Sequence, residues 1–284
     1  MNNVILVGVD FSNCSLNALS HAVTVAEKSK SDIVMVWVNK LANDKDIVSK
    51  DRNLIEYGAK QHFNELIEKY AHRLGENTIT YQIREGRVYD AMQEACRELD
   101  PFLMFIGTHG ISGFSERWIG SNAFRMSLVL DVPTVFIREG IDVNTSISKI
   151  VMPIDSTLET RQKLPLTALI AQYFNAQIFV VALYTSEILS VKERVNGYVK
   201  QVVKYLTANR INFVLDELHT NDVDEDIISY AKNINANLIS IMDELERTAV
   251  NIFSGSYSQK IVNNSQIPVL ISHTKNIYAS IARN

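Results

Sequence analysis

The residues with the clearest chemical pattern lie between Ile106 and Met126, in IGTHGISGFSERWIGSNAFRM. An apolar run ends at Ile106. Gly107 and Gly110 follow, and after nine further residues Gly120, Ser121 and Asn122 open an apparent helix. Glycine lets a backbone turn tightly and approach a ligand closely. A helix start carries N–H groups without carbonyl partners, so Gly120-Ser121 reads as an anion site, with phosphate the usual anion. The Ser121 hydroxyl suits either a helix cap or a phosphate contact. The chain has no Gly-Lys pair, so this is not a Walker A loop, and it is not GxGxxG.

Other candidates have plainer readings beside the sharp ones. His109, between two of the glycines, could contact phosphate or act as a base; an exposed loop histidine is the simpler account, since geometry must precede any base. Arg117 reads as surface. Asp10 precedes a helical segment and is expected to cap it while also facing a ligand. Trp37 and Trp118 read as packing residues. Met35, Met92, Met104 and Met126 read as core filler. There is no HExxH and no GxSxG elbow, so no catalytic constellation stands out.

The elements that hold these residues come in two similar sets. VILVGVDFS (4–12) and KIVMPIDST (149–157) each end an apolar run in Asp and a small hydroxyl residue. Asp10 and Asp155 are 145 positions apart, and the β-branched runs 33–38 and 178–183 keep that offset. Gly120-Ser121 and Gly255-Ser256 are 135 apart, as are Val132-Pro133 and Ile267-Pro268. One length difference between the second and third strands explains the change. The expected domains are 1–140 and 148–284.

In the first copy, strands are expected at 3–9, 32–38, 78–84, 102–106 and 134–138, and helices at 13–29, 47–74, 88–99 and 121–130. Phe63, Leu66, Ile67, Tyr70 and Leu74 form one apolar helical stripe. Val191, Val195, Tyr198, Val199, Val202 and Leu206 form its counterpart in the second copy. Near-continuous apolar strands such as VILVGV and FLMFI suit a parallel sheet buried on both faces. The alternation of β and α implies an α/β, doubly wound sheet with ligands at the carboxyl ends of its strands.

Gly-x2-Gly-x9-Gly-Ser after the fourth strand, with a first strand ending in Val-Asp-Phe-Ser, resembles the universal stress protein family. The resemblance covers both copies. It implies two tandem Rossmann-like domains, each a five-stranded parallel sheet of order 3-2-1-4-5. It also implies ATP, with any Mg²⁺ supplied along with the nucleotide. Asp10 would lie by adenine and ribose, with the backbone at Gly8 and Val38 framing adenine and Val9 and Ile106 beside it. Gly107 would meet the ribose, and Gly110, Gly120, Ser121 and Asn122 would wrap the phosphates, with His109 counted among the nucleotide-binding residues. Ala123 departs from the family, which often carries a hydroxyl there. The second copy departs further: Met242 and Leu245 replace the first two glycines, and Asp243, Glu244 and Glu246 would repel a polyphosphate. A nucleotide site is therefore expected in the first domain alone.

Composition sets the outer limits. The 284 residues are 46% hydrophobic and 21% charged with net charge −4, which excludes wholesale disorder and a nucleic-acid binder held by a strong basic field. Cys14 and Cys96 form no CxxC, so reduced thiols are expected, with no metal site. No apolar stretch approaches a membrane span. MNNVILVGVD lacks a basic leader, and a cytoplasmic protein is expected. The implied role is an ATP-binding regulator in the stress response. A scaffold without nucleotide and a slow ATPase using Ser121 and His109 are the alternatives. The last strands, 134–138 and 267–271, would be sheet edges. The family pairs these across a dimer, so an intrachain pseudo-dimer is expected here, with a further homodimer open.

Overall fold

The computed structural model describes residues 3–39, 49–108, 130, 132–141, 146–243 and 257–273. The chain divides into two compact units, 1–143 and 144–284. Both are α/β.

Unit 1 contains β1 (Val4–Gly8), α1 (Asn13–Ser29), β2 (Asp32–Asn39), α2 (Ser49–Tyr70), β3 (Ile79–Glu85), α3 (Val88–Leu99), β4 (Leu103–Gly107) and β5 (Thr134–Ile137). Its sheet runs β3-β2-β1-β4-β5, with every pair parallel. Strand order reverses between β1 and β4, which opens a crevice at their carboxyl ends. The apolar runs are buried as their sequence requires: Ile5, Leu6, Val7, Leu103 and Met104 have no exposed surface. Helix α1 covers β1 and β4 with Ala18, Leu19, Ala22, Val23 and Ala26, spaced three and four apart. It ends at Lys30 in the left-handed region, whose N–H donates to the Ala26 carbonyl. Helix α2 is shorter than the expected 47–74, because its last turn tightens to a 3₁₀ turn at Ala71–Arg73. The helix expected at 121–130 lies outside the described residues, apart from Leu130.

Unit 2 contains β6 (Lys149–Ile154), a 3₁₀ turn (Leu158–Arg161), α4 (Leu164–Phe174), β7 (Gln177–Tyr184), α5 (Leu189–Ala208), β8 (Phe213–His219), α6 (Val223–Asn233), β9 (Leu238–Met242), α7 (Tyr257–Asn264) and β10 (Val269–Ser272). Its sheet runs β8-β7-β6-β9-β10, again parallel. Strand starts are 145 apart for β1 and β6 and for β2 and β7, and 135 apart for β4 and β9 and for β5 and β10. The change falls between the second and third strands, where unit 1 carries the longer connection.

The two units differ at the first helix. In unit 1, α1 runs unbroken from Asn13. In unit 2 the corresponding stretch begins as a 3₁₀ turn, and α4 restarts with Pro165 in its first turn. A helix running on from residue 158 would hold Pro165 in its interior, without an N–H and against the preceding turn; at a helix start the missing N–H has no consequence. The break frees the Thr160 carbonyl. Lys163 answers it, donating from Nζ to the carbonyl oxygen at 2.7 Å and to the Thr160 hydroxyl at 3.3 Å. Lys163 is 1% exposed, and burial holds its amine down to about 8 despite the opposing charge of Asp155.

No helix among the described residues is long and apolar enough to cross a membrane.

Candidate functional site

In unit 1 the carboxyl ends of β1, β2 and β4 bring together Gly8, Val9, Asp10, Val38, Ile106 and Gly107. These are the sequence-predicted site residues that fall within the described chain. His109, Gly110, Gly120, Ser121 and Asn122 lie outside it.

The loop after β1 is built by short polar side chains. The Val9 N–H donates to the Val36 carbonyl at 2.9 Å, carrying the sheet one residue past the strand. Asp10 Oδ1 accepts from the Ser12 N–H at 3.1 Å and the Ser12 hydroxyl at 2.6 Å. The Asp10 N–H donates to Ser15 Oγ at 3.2 Å, and that hydroxyl donates to the Ser12 carbonyl at 3.0 Å. The cap of α1 differs from the expectation. Ser12, not Asp10, is the N-cap, its Oγ accepting from the Ser15 N–H at 3.2 Å. Asp10 stands one step back and braces the cap through an Asx turn. Its carboxyl is half-buried at the crevice.

Gly107 ends β4 directly against the start of α1. A Cβ there would stand 2.8 Å from the Cys14 carbonyl carbon, 2.9 Å from the Ser15 nitrogen and 3.0 Å from the Cys14 oxygen. Only glycine allows this approach. Gly8 is under no such demand: an added Cβ would meet Met92 Cε at 3.7 Å, an ordinary contact. Next to Gly107, the Thr108 N–H donates to the Ile137 carbonyl at 2.9 Å, and Cys14 Sγ donates to the same oxygen at 3.2 Å. Val38 and Ile106 are buried, so they offer backbone and an apolar floor rather than side-chain polarity.

Unit 2 repeats half of this. The Asp155 N–H donates to Thr160 Oγ1 at 3.1 Å, and Asp155 Oδ1 accepts from the Thr157 N–H at 2.7 Å and hydroxyl at 2.5 Å. The other half is replaced. Met242 ends β9 where Gly107 ends β4. Beyond it Asp243 takes the place of Thr108, its N–H donating to the Ser272 carbonyl at 2.9 Å. The Asp243 carboxylate accepts from Ser258 Oγ at 3.4 Å and lies 3.6 Å from His273 Nδ1. The Asp243 carboxylate thus lies just past the end of β9, held against α7 and His273, while Leu245, Glu244 and Glu246 lie outside the described residues.

Two contributors escaped the sequence reading. Phe11, between Asp10 and Ser12, packs its ring 5.0 Å from Phe63, 5.4 Å from His62 and 6.2 Å from Trp37. Trp37 is thereby a packing residue, as expected. The other is Lys163, which stands just ahead of an apolar helix. The break at Pro165 was its one sequence signal. Among the described residues no three His, Cys, Asp or Glu side chains converge as a metal site.

Comparison with known proteins locates the fold. A universal stress protein from Archaeoglobus fulgidus DSM 4304 superposes with a TM-score of 0.79 at 16% identity, covering 96% of this chain and 99% of that one. A putative universal stress protein from Pseudomonas aeruginosa UCBPP-PA14 gives 0.67 at 13% identity, covering 99% of this chain and 96% of that one. Comparison with curated proteins finds no match. The sequence itself matches the universal stress protein family over residues 1–138. Residues 1–138 carry a universal stress protein domain.

Proposed function

We propose that unit 1 binds an adenine nucleotide, ATP with Mg²⁺ foremost, at the carboxyl ends of β1, β2 and β4, and that the chain is a cytoplasmic regulatory protein of the stress response. The observation that carries this is the pairing of Gly107 with the first turn of α1, beside the braced Asp10 loop. That arrangement leaves the strand end free of side chain at the switch point of the sheet, where α/β sheets take ligands. The residues fit the group on the side described. Asp10 offers an acceptor to a ribose hydroxyl or adenine amine, and the β2 end offers backbone. The phosphates would fall to Gly110, Gly120, Ser121 and Asn122. Bound nucleotide supplies charge and binding energy that favour one conformer over another, which is how such a protein would signal.

Unit 2 is proposed to take no nucleotide. Met242 fills the strand end and the Asp243 carboxylate stands next to it. That negative group would repel a polyphosphate by about 1 kcal/mol per close pair even in solvent.

Calorimetric titration with ATP and Mg²⁺, paired with native mass spectrometry, tests the reading. One nucleotide per chain is expected, lost in Asp10→Ala and kept in Asp155→Ala. Failure to bind at millimolar ATP overturns it and leaves a scaffold role.

A further inference from the structure

Six non-glycine residues among those described have positive φ: Phe11, Lys30, Asp100, Asn175, Arg210 and Asn235. Five of them end helices. Lys30, Asp100 and Asn175 are the C-caps of α1, α3 and α4, and Arg210 and Asn235 follow the caps of α5 and α6. Helices commonly close through the left-handed region, so these five are accounted for. Phe11 is different. It precedes a helix, its φ is 62°, and it is a bulky aromatic residue, for which that region is strained.

The loop bonds do not demand this conformation. Unit 2 makes the same Asp155–Thr157 turn, and Ser156 between them is not in the left-handed region. What unit 1 has and unit 2 lacks is the ring. Phe11 packs on His62 and Phe63 of α2 and on Trp37 of β2. Phe63 is fully buried and stacks on Tyr81 of β3, with centroids 4.5 Å apart and planes 4° from parallel. At the positions matching Phe11, Trp37 and Tyr81, unit 2 has Ser156, Ala182 and Leu215. Packing of one side chain against two elements, α2 and β2, therefore holds a backbone angle that the local sequence alone would not choose.

We infer that Phe11 is a positioning residue for the unit 1 site. Its ring, fixed among Trp37, His62 and Phe63, holds the twist that aims the Asp10 carboxyl, and it ties that carboxyl to the placement of α2. A shift of α2 moves the ring, the ring moves its own φ, and Asp10 lies one peptide away. The ligand part of this inference rests on the nucleotide reading above; the positioning part does not.

The test separates the two. Phe11→Gly accepts the positive φ and removes the ring; Phe11→Tyr keeps the ring. Hydrogen exchange at the Ser12 amide, which donates to Asp10 Oδ1, reads the loop without any ligand. Titration with ATP and Mg²⁺ reads binding. A Trp118→Phe background leaves Trp37 as the sole tryptophan, so its emission reports the ring cluster. In Phe11→Gly, Ser12 protection and ATP affinity are each expected to fall roughly tenfold, the loss of about one hydrogen bond. Phe11→Tyr restores both. His62→Ala, at a side chain 63% exposed, removes one ring contact and gives a smaller loss in the same direction, which covers a failure of the glycine variant to fold. Ser12 protection unchanged in Phe11→Gly, or in His62→Ala where the glycine variant does not fold, overturns the inference. Loss of Ser12 protection in a protein whose parent binds no ATP supports the positioning role and overturns the nucleotide reading alone.

Discussion

Gly107 and Cys14 stand so close that a single added carbon would separate them: a Cβ on Gly107 would lie 2.8 Å from the Cys14 carbonyl carbon. The contact brings the end of β4 directly against the first turn of α1. In unit 2 the same strand position holds Met242, and the first turn facing it is 3₁₀, with the α-helix restarting at Leu164. The glycine and the unbroken helix go together, as do the methionine and the broken one. The 3₁₀ turn packs on both β6 and β9. The methionine at the strand end and the helix broken at Pro165 thus lie side by side, which is where the two crevices diverge.

Gly107→Ala is accordingly expected to destabilise unit 1. The atoms in the way are backbone, which cannot rotate aside, so the loss should match other overpacked sites, about 1–3 kcal/mol. Gly8→Ala is the control. Its Cβ finds open contact with the flexible end of Met92, so it should be neutral or stabilising by up to about 1 kcal/mol. Denaturant midpoints of the two variants check this. Equal midpoints would contradict the close approach.

Asp10→Ala and Asp155→Ala form a second matched pair. Each carboxylate accepts two hydrogen bonds on one oxygen from the residue two places on. Asp10→Ala should cost roughly 1–2 kcal/mol of stability, since the half-buried amide and hydroxyl of Ser12 lose their partner, and Asp155→Ala less, since Thr157 is exposed and water can replace the carboxylate. ATP binding should fail in Asp10→Ala alone. Thermal unfolding with and without ATP reads both at once: added ATP raises the midpoint of the parent and of Asp155→Ala, and not of Asp10→Ala.

The strands were legible because a parallel strand buried on both faces must be apolar throughout; Val4–Gly8 and Leu103–Gly107 announce themselves that way. Asp10 and Gly107 were legible because each lies at the end of such a run. Phe11 and Lys163 were not. A positive φ at phenylalanine follows from rings contributed by residues 37, 62 and 63, and no local window contains them all. Lys163 is buried because Pro165 breaks a helix and leaves the Thr160 carbonyl, three residues before the lysine, for its amine, so its fate was set by a backbone event rather than by its own polarity. Assigning the cap to Asp10 failed for a related reason. Asp10 and Ser12 are both good N-caps, and only the register of the first turn decides which one reaches the Ser15 N–H.

The thiols should be inert in the folded chain. Cys14 and Cys96 are both buried and unbridged, and burial pushes the Cys96 thiol up to about 11 in spite of nearby Arg84. Alkylation requires the thiolate. At pH 8 the native protein is expected to take up no iodoacetamide over minutes, and two equivalents once unfolded. Mass spectrometry after brief labelling decides it; rapid labelling of Cys96 in the native chain would mean that α3 opens far more often than its packing implies.

Lys163 gives unit 2 a distinctive dependence on pH. Its amine is held at about 8 in the folded chain against an ordinary value of 10.5. Between those values the unfolded chain binds the proton and the folded chain does not. Unfolding then takes up protons, so stability rises with pH across this window; below about 8 both states are charged and the burial penalty is present in full. The shift corresponds to roughly 3 kcal/mol between the two limits. Tyr184 and Tyr230 are held above the ordinary tyrosine range by burial, so they act in the opposite direction, and only once unfolded tyrosine ionises near pH 10. Chemical denaturation of the parent from pH 7 to 9.5 should therefore show unit 2 gaining stability above pH 8. Lys163→Met keeps the length and apolar stem of the side chain and should abolish the rise. A flat profile in the parent would mean that the amine meets water in solution, and that the Thr160 carbonyl is not its partner there.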